Sequence, residues 1–72
     1  MAAKIIQDDA GMALPITQNQ AEQLALALAT GVQSLQVGQL TLRRSASKAV
    51  TLVGPMFAFV WLDADDLLAQ LR

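Results

Sequence analysis

The sequence predicts an α+β domain: a small antiparallel sheet of three to four strands packed against one main helix, with a short C-terminal helix. Three observations carry that prediction. A helical repeat of apolar residues runs from Gln18 to Thr30 between a start and a stop signal. Two apolar alternations bend back on themselves, at Gly38 and at Gly54-Pro55. A leucine-bearing segment opened by Asp63 closes the chain.

The helix has the most specific signals. Thr17 is a good N-cap, and Gln20 three residues on completes a capping box. Ile16 before the cap and Ala21 after it fit a hydrophobic staple. Ala21, Leu24, Ala25 and Leu28 fall at i, i+3, i+4 and i+7, one helical face, which Leu26 and Ala29 widen. Gly31 stands where a left-handed C′ residue ends a helix. A hairpin follows. With Gly38-Gln39 as a two-residue type II′ turn, Val37 faces Leu40, Gln36 faces Thr41 and Leu35 faces Leu42. That register gathers the aliphatic residues on one face and leaves Gln36 and Thr41 on the other, and a slip by one residue would scramble it.

Ala49 to Val53 and Met56 to Leu62 read as a second pair of strands around Gly54-Pro55. Val50, Leu52, Phe57, Phe59 and Trp61 share a bulky face. Ala49, Thr51, Val53, Met56, Ala58 and Val60 share a small, largely apolar one. Because the second strand has no polar residue, cover is expected on both of its faces, the small one against a helix or another subunit. Asp63 is an N-cap for the last helix, Asp65 and Asp66 suit the positive end of its dipole, and Leu67, Leu68 and Leu71 give it an apolar side. A helix this short persists only if docked, and an edge of the sheet is its expected place.

The 72 residues form a single domain, 1–72, in which residues 1–16 are an N-terminal arm or hairpin, ordered or flexible. Lys4 to Gln7 reads as a strand, Asp8-Asp9-Ala10-Gly11 as a turn, and Met12 to Ile16 as an edge strand limited by Pro15. Order is favoured because Ile5, Ile6, Met12, Leu14 and Ile16 are costly to leave in water.

Hydrophobic residues make up 54% of the chain and charged ones 15%, a balance that argues against disorder. A small domain this apolar is expected to leave a patch that wants a partner, so a homo-oligomer is expected. The net charge of −1 gives no field for steering onto nucleic acid or anionic lipid. The longest apolar segment, Ala49 to Leu62, is interrupted by Gly54-Pro55 and is shorter than the roughly twenty residues a membrane helix needs. No secretory signal is visible, and a cytoplasmic location is expected.

Candidate chemistry is sparse. The chain has no histidine, cysteine or tyrosine, which removes the usual neutral-pH base, the thiol nucleophile and the soft metal ligands. Ser45-Ala46-Ser47-Lys48 matches the S-x-x-K of serine β-lactamases, but those enzymes need a large pocket and further motifs, and a polar link is expected. Arg43-Arg44-Ser45-Ala46-Ser47 has the form of a basophilic kinase site, a pattern frequent by chance. Asp63, Asp65 and Asp66 lack the alternating ligands and central glycine of a calcium loop, so capping is expected. Asp8-Asp9 reads as a turn, and Trp61 as core rather than a stacking platform. No catalytic residue, cofactor or metal is assigned.

The order of Thr17 to Arg44, a helix ending Leu26-Ala27-Leu28-Ala29-Thr30-Gly31 followed by the hairpin Val32 to Leu42, with a second helix closing the chain, resembles the small gpW-like head–tail joining proteins of tailed phages. That family is an α-β-β-α unit. The resemblance implies a non-enzymatic, virion-associated protein that packs into a ring, and it brings no catalytic residues. The chain departs from the family in its inserted Ala49 to Leu62 pair, its N-terminal arm and the lack of a basic tail.

The expected function is a non-catalytic assembly or interaction module, possible roles including phage head–tail joining or other virion morphogenesis. Its partner would be itself, as a homo-oligomer, or another protein, with no membrane. Val53, Met56, Ala58 and Val60, together with the alanine-rich helix, are the expected contact surface. The alternative is a small dimeric regulator binding nucleic acid through Arg43, Arg44 and Lys48, although solvated charges at a strand end are the favoured reading of that trio.

Overall fold

The computed structural model describes residues 3–45 and 48–72. Ala46 and Ser47, the middle of the S-x-x-K match, lie outside the described residues, as do Met1 and Ala2. The elements are β1 (Ala3–Gln7), β2 (Ala13–Thr17), α1 (Gln18–Thr30), β3 (Ser34–Val37), β4 (Leu40–Arg44), β5 (Val50–Val53), β6 (Ala58–Trp61) and α2 (Ala64–Leu71). The class is α+β, but with two antiparallel sheets. β1 and β2 form a separate hairpin, and β3-β4-β5-β6 form a four-stranded meander in sequence order. The expectation of one sheet missed this division.

A single core joins all the elements. Val37, Leu40, Leu42, Val50, Leu52, Phe59 and Trp61 bury one face of the meander against Ala21, Leu24, Ala27 and Leu28 of α1, Leu67 and Leu71 of α2, and Ile6, Leu14 and Ile16 of the hairpin. α2 packs against α1 and β1 as well as edge strand β6, and Leu67 is fully buried. It docks at the expected sheet edge and is a core element as well.

The local signals at α1 work as the sequence dictates. Thr17 Oγ1 accepts from the Gln20 amide at 3.1 Å, and Gln20 Oε1 accepts from the Thr17 amide at 2.9 Å. Gly31, at φ 78°, donates to the Ala27 carbonyl at 3.1 Å. Leu26 departs from expectation. It lies two residues from Leu24, about 200° round the helix, so it leaves the buried face and is 66% exposed.

The β3–β4 hairpin has the predicted register, Val37 opposite Leu40 and Leu35 opposite Leu42. Gly38 alone in the turn has positive φ, at 62°, as type II′ requires. The β5–β6 connection differs. Val53 pairs with Ala58, so the loop holds four residues, and Gly54 N–H donates to the Phe57 carbonyl at 2.8 Å. Phe57 drops out of the bulky face. Its ring lies over Gly54, where a Cβ would collide with it, and meets Phe59 edge-on at 5.0 Å.

Candidate interaction surface

The outward face of the meander follows from its register. Gln36, Thr41, Val53 and Ala58 form one row across the four strands, and Ser34, Arg43, Thr51 and Val60 form the next. The first row runs from polar on β3–β4 to apolar on β5–β6, and the second becomes apolar only at Val60 on β6. Of the residues expected to make contacts, Val53, Ala58 and Val60 thus come together on adjacent strands, while Met56 stands in the loop joining them, 94% exposed. Leu62 extends the apolar end beyond β6 and is also exposed. No helix or loop covers this face among the described residues, which corrects the expectation of burial on both faces of the last strand.

The basic trio does not form one patch. Arg43 lies on the outer face and Lys48 is exposed beyond β4. Arg44 shares the inner face with Leu40 and Leu42, is half-buried, and donates from Nη2 to the Leu28 carbonyl at 2.7 Å. α1 carries no basic residue in its last turn, so Arg44 supplies the cation that the negative helix end favours. Its buried Nε finds no partner among the described residues. α2 has the same arrangement: Lys4 Nζ donates to the Arg72 carbonyl at 2.9 Å.

The two edges of the meander differ. β6 turns the main-chain groups of Ala58, Val60 and Leu62 outward, and the β1–β2 turn meets the Val60 carbonyl and the Leu62 amide. Asp9 N–H donates to the Val60 carbonyl at 3.3 Å, and Asp9 Oδ2 accepts from the Leu62 amide at 2.8 Å. Trp61 Nε1 donates to the Gln7 carbonyl at 2.8 Å, and Gln70 engages both the amide and the carbonyl of Gln7. Asp8 holds the turn itself, Oδ1 accepting from the Ala10 and Met12 amides at 3.0 and 2.8 Å. The aspartate pair was visible in the sequence as a turn. The edge-capping role of Asp9 was not, because its partner lies 53 residues away.

At the other end of the sheet, no residue of another element bonds the outward groups of Ser34 and Gln36 among the described residues; Gln36 Nε2 reaches the Gly38 carbonyl at 3.3 Å. Beside this edge an open groove of about 360 Å³ is lined by Gln23, Leu26, Ala27, Thr30, Val32 and Leu35. Its walls hold no ionisable group. Among the described residues no cluster of three or more acidic side chains could hold a metal ion, and no helix is long and apolar enough to cross a membrane.

Compared with models of known families, with characterised proteins and with solved structures, the chain matches none.

Proposed function

We propose that this chain is a non-catalytic assembly module that associates with its own copies through the outer face of β5 and β6. The supporting observation is the uncovered group of Val53, Met56, Ala58, Val60 and Leu62 at one end of a sheet whose other face is largely used in the core. An uncharged aliphatic surface fits another apolar surface and offers nothing to a substrate. The lack of histidine, cysteine and tyrosine from the sequence supports the same reading.

Within this class, a role in phage head–tail joining is the finer proposal. It rests on the resemblance of the α1-β3-β4 segment and closing helix to the gpW-like proteins, and it would place the chain in a ring. The nucleic-acid regulator is disfavoured, because Arg44 is held by Leu28 and only Arg43 and Lys48 remain for phosphate.

The test is the absolute mass in solution over a concentration series, for the natural sequence and for Val60→Lys. Association that falls at least tenfold in Val60→Lys is the expected result. A natural sequence that stays monomeric at every concentration removes the proposal.

A further inference from the structure

Resting on the self-association reading but naming a different surface, we infer that the open edge of β3 pairs with β3 of a second copy about a twofold axis. Ser34 of each copy lies opposite Gln36 of the other, and Leu35 opposite Leu35, so that two four-stranded sheets become one of eight.

The ladder fixes which groups are available. Arg44 N–H donates to the Gln33 carbonyl at 2.8 Å, and Val37 faces Leu40 across the two-residue turn. Bonded pairs alternate in an antiparallel ladder, so Gln33, Leu35 and Val37 bond inward to β4. Ser34 and Gln36 therefore turn their N–H and C=O groups outward. Pairing Ser34 with Gln36 of the copy uses all of these groups in both chains, as four main-chain bonds. A register displaced by two residues would leave one of the two residues without a partner on the opposing strand.

Three features select a second copy as the occupant. First, the edge lacks the usual protection. Ser-Leu-Gln-Val carries no charge, proline or bulge, and no charged residue lines the adjoining groove. An uncharged surface does not repel its own copy. Second, the surface carries both a projection and a recess, the exposed Leu26 beside the groove, and a twofold interface needs both on each copy. Leu35 lines that groove, so opposing Leu35 with its copy brings the two grooves together on the same face of the joined sheet. Third, Asp9 already takes the Val60 carbonyl and the Leu62 amide of β6, so the C-terminal half of that edge is obstructed and the pairing stops at two chains rather than running on as a fibre.

The test uses the Val60→Lys chain, which silences the outer face, followed by sedimentation velocity over a concentration series. A dimer is expected there, and adding Gln36→Pro should weaken it at least tenfold while circular dichroism stays unchanged, because the Gln36 N–H lies outside the sheet. Leu26→Glu, at an exposed helix position, carries the same expectation. The sequence contains no cysteine, so Leu35→Cys provides a unique thiol. Residues opposed in a non-bonded antiparallel pair have Cα atoms about 4.5 Å apart, within disulfide reach. Mild oxidation should give a covalent dimer on a non-reducing gel. A folded Val60→Lys chain that is purely monomeric overturns the β3 pairing and leaves the outer-face proposal standing. A dimer that survives both Gln36→Pro and Leu26→Glu, without a Leu35→Cys cross-link, also overturns it. A natural dimer indifferent to Val60→Lys but lost with Gln36→Pro supports the pairing and removes the outer-face proposal.

Discussion

The two edges of the four-stranded sheet are built from similar strands and treated in opposite ways. β6 is the more apolar, Ala-Phe-Val-Trp, and Asp9 meets the Val60 carbonyl and the Leu62 amide at its edge, with Trp61 and Gln70 tying the same hairpin down at Gln7. β3 is the more polar, and no other element bonds its outward main-chain groups among the described residues; the Gln36 side chain turns back to the Gly38 carbonyl. An exposed apolar edge is a template for pairing with other chains. The fold therefore spends its N-terminal hairpin on the edge where uncontrolled pairing would be worst, and leaves β3 open.

The largest break in this comparison is Trp61→Ala. It empties a fully buried site and removes the indole N–H from Gln7. The expected loss is about 3–5 kcal/mol, read from urea unfolding, and this is enough to unfold a domain of marginal stability. A loss below about 1 kcal/mol would mean that the hairpin does not depend on β6. Asp9→Ala is smaller and more specific. It deprives the Leu62 amide of its acceptor, in an exposed position, for about 1 kcal/mol. The second consequence is larger in practice: β6 loses its side-chain cover at Leu62, and light scattering should show association beyond that of the natural sequence. Asp9→Asn, which keeps an acceptor oxygen, should fall between the natural sequence and Asp9→Ala.

The same contrast shows what the sequence could reveal. Elements set by near neighbours were legible. The Thr17–Gln20 box, Gly31 and the Gly38 register all depend on residues within a few positions of one another. The β5–β6 faces were also legible, although the loop is longer than a turn at Gly54-Pro55 suggests. A two-residue turn would have set Val53 against Met56; the actual partner is Ala58, a shift of two that preserves which side each residue faces. Met56 and Phe57 left the sheet for the loop. Among the candidate interaction residues, Val53, Ala58 and Val60 come together because alternation alone decides their side. Arg43 and Arg44 separate for the same reason. Asp9, Gln7 and Gln70 could not be read, because their partners lie more than fifty residues away in the chain. Leu26 was misassigned because an alanine-rich helix spreads apolar residues around its whole circumference.

Arg44 lets the comparison be sharpened from the β3–β4 side. Its guanidinium reaches the C-terminal turn of α1, while its neighbour Arg43 meets only the outer face. Arg44→Met keeps the stem and removes the charge at the helix end. The expected cost is about 1 kcal/mol, partly offset because the unpartnered Nε disappears as well. Arg43→Met should change stability by less than about 0.5 kcal/mol. Equal effects from the two arginines would show that Arg44 does not hold α1.

The smallest expected effect tests the ladder directly. Gln36 turns its N–H away from the sheet, while Leu35 turns its N–H toward Leu42. Proline lacks this donor, and it is tolerated on an edge strand only where the N–H faces outward. Gln36→Pro should therefore shift unfolding by under about 0.5 kcal/mol, its lost side-chain bond to Gly38 being exposed. Leu35→Pro, one residue away, breaks a ladder bond and loses apolar packing beside α1, so it should destabilise the domain by several times as much. Urea midpoints for the two variants are sufficient to decide. If Gln36→Pro is the more damaging, the alternation is out of phase and β3 does not present Ser34 and Gln36 to a partner. If the order is as expected, the sheet has one edge bonded to its own chain and one whose backbone can be changed without harm to the fold, which is what an edge kept for pairing requires.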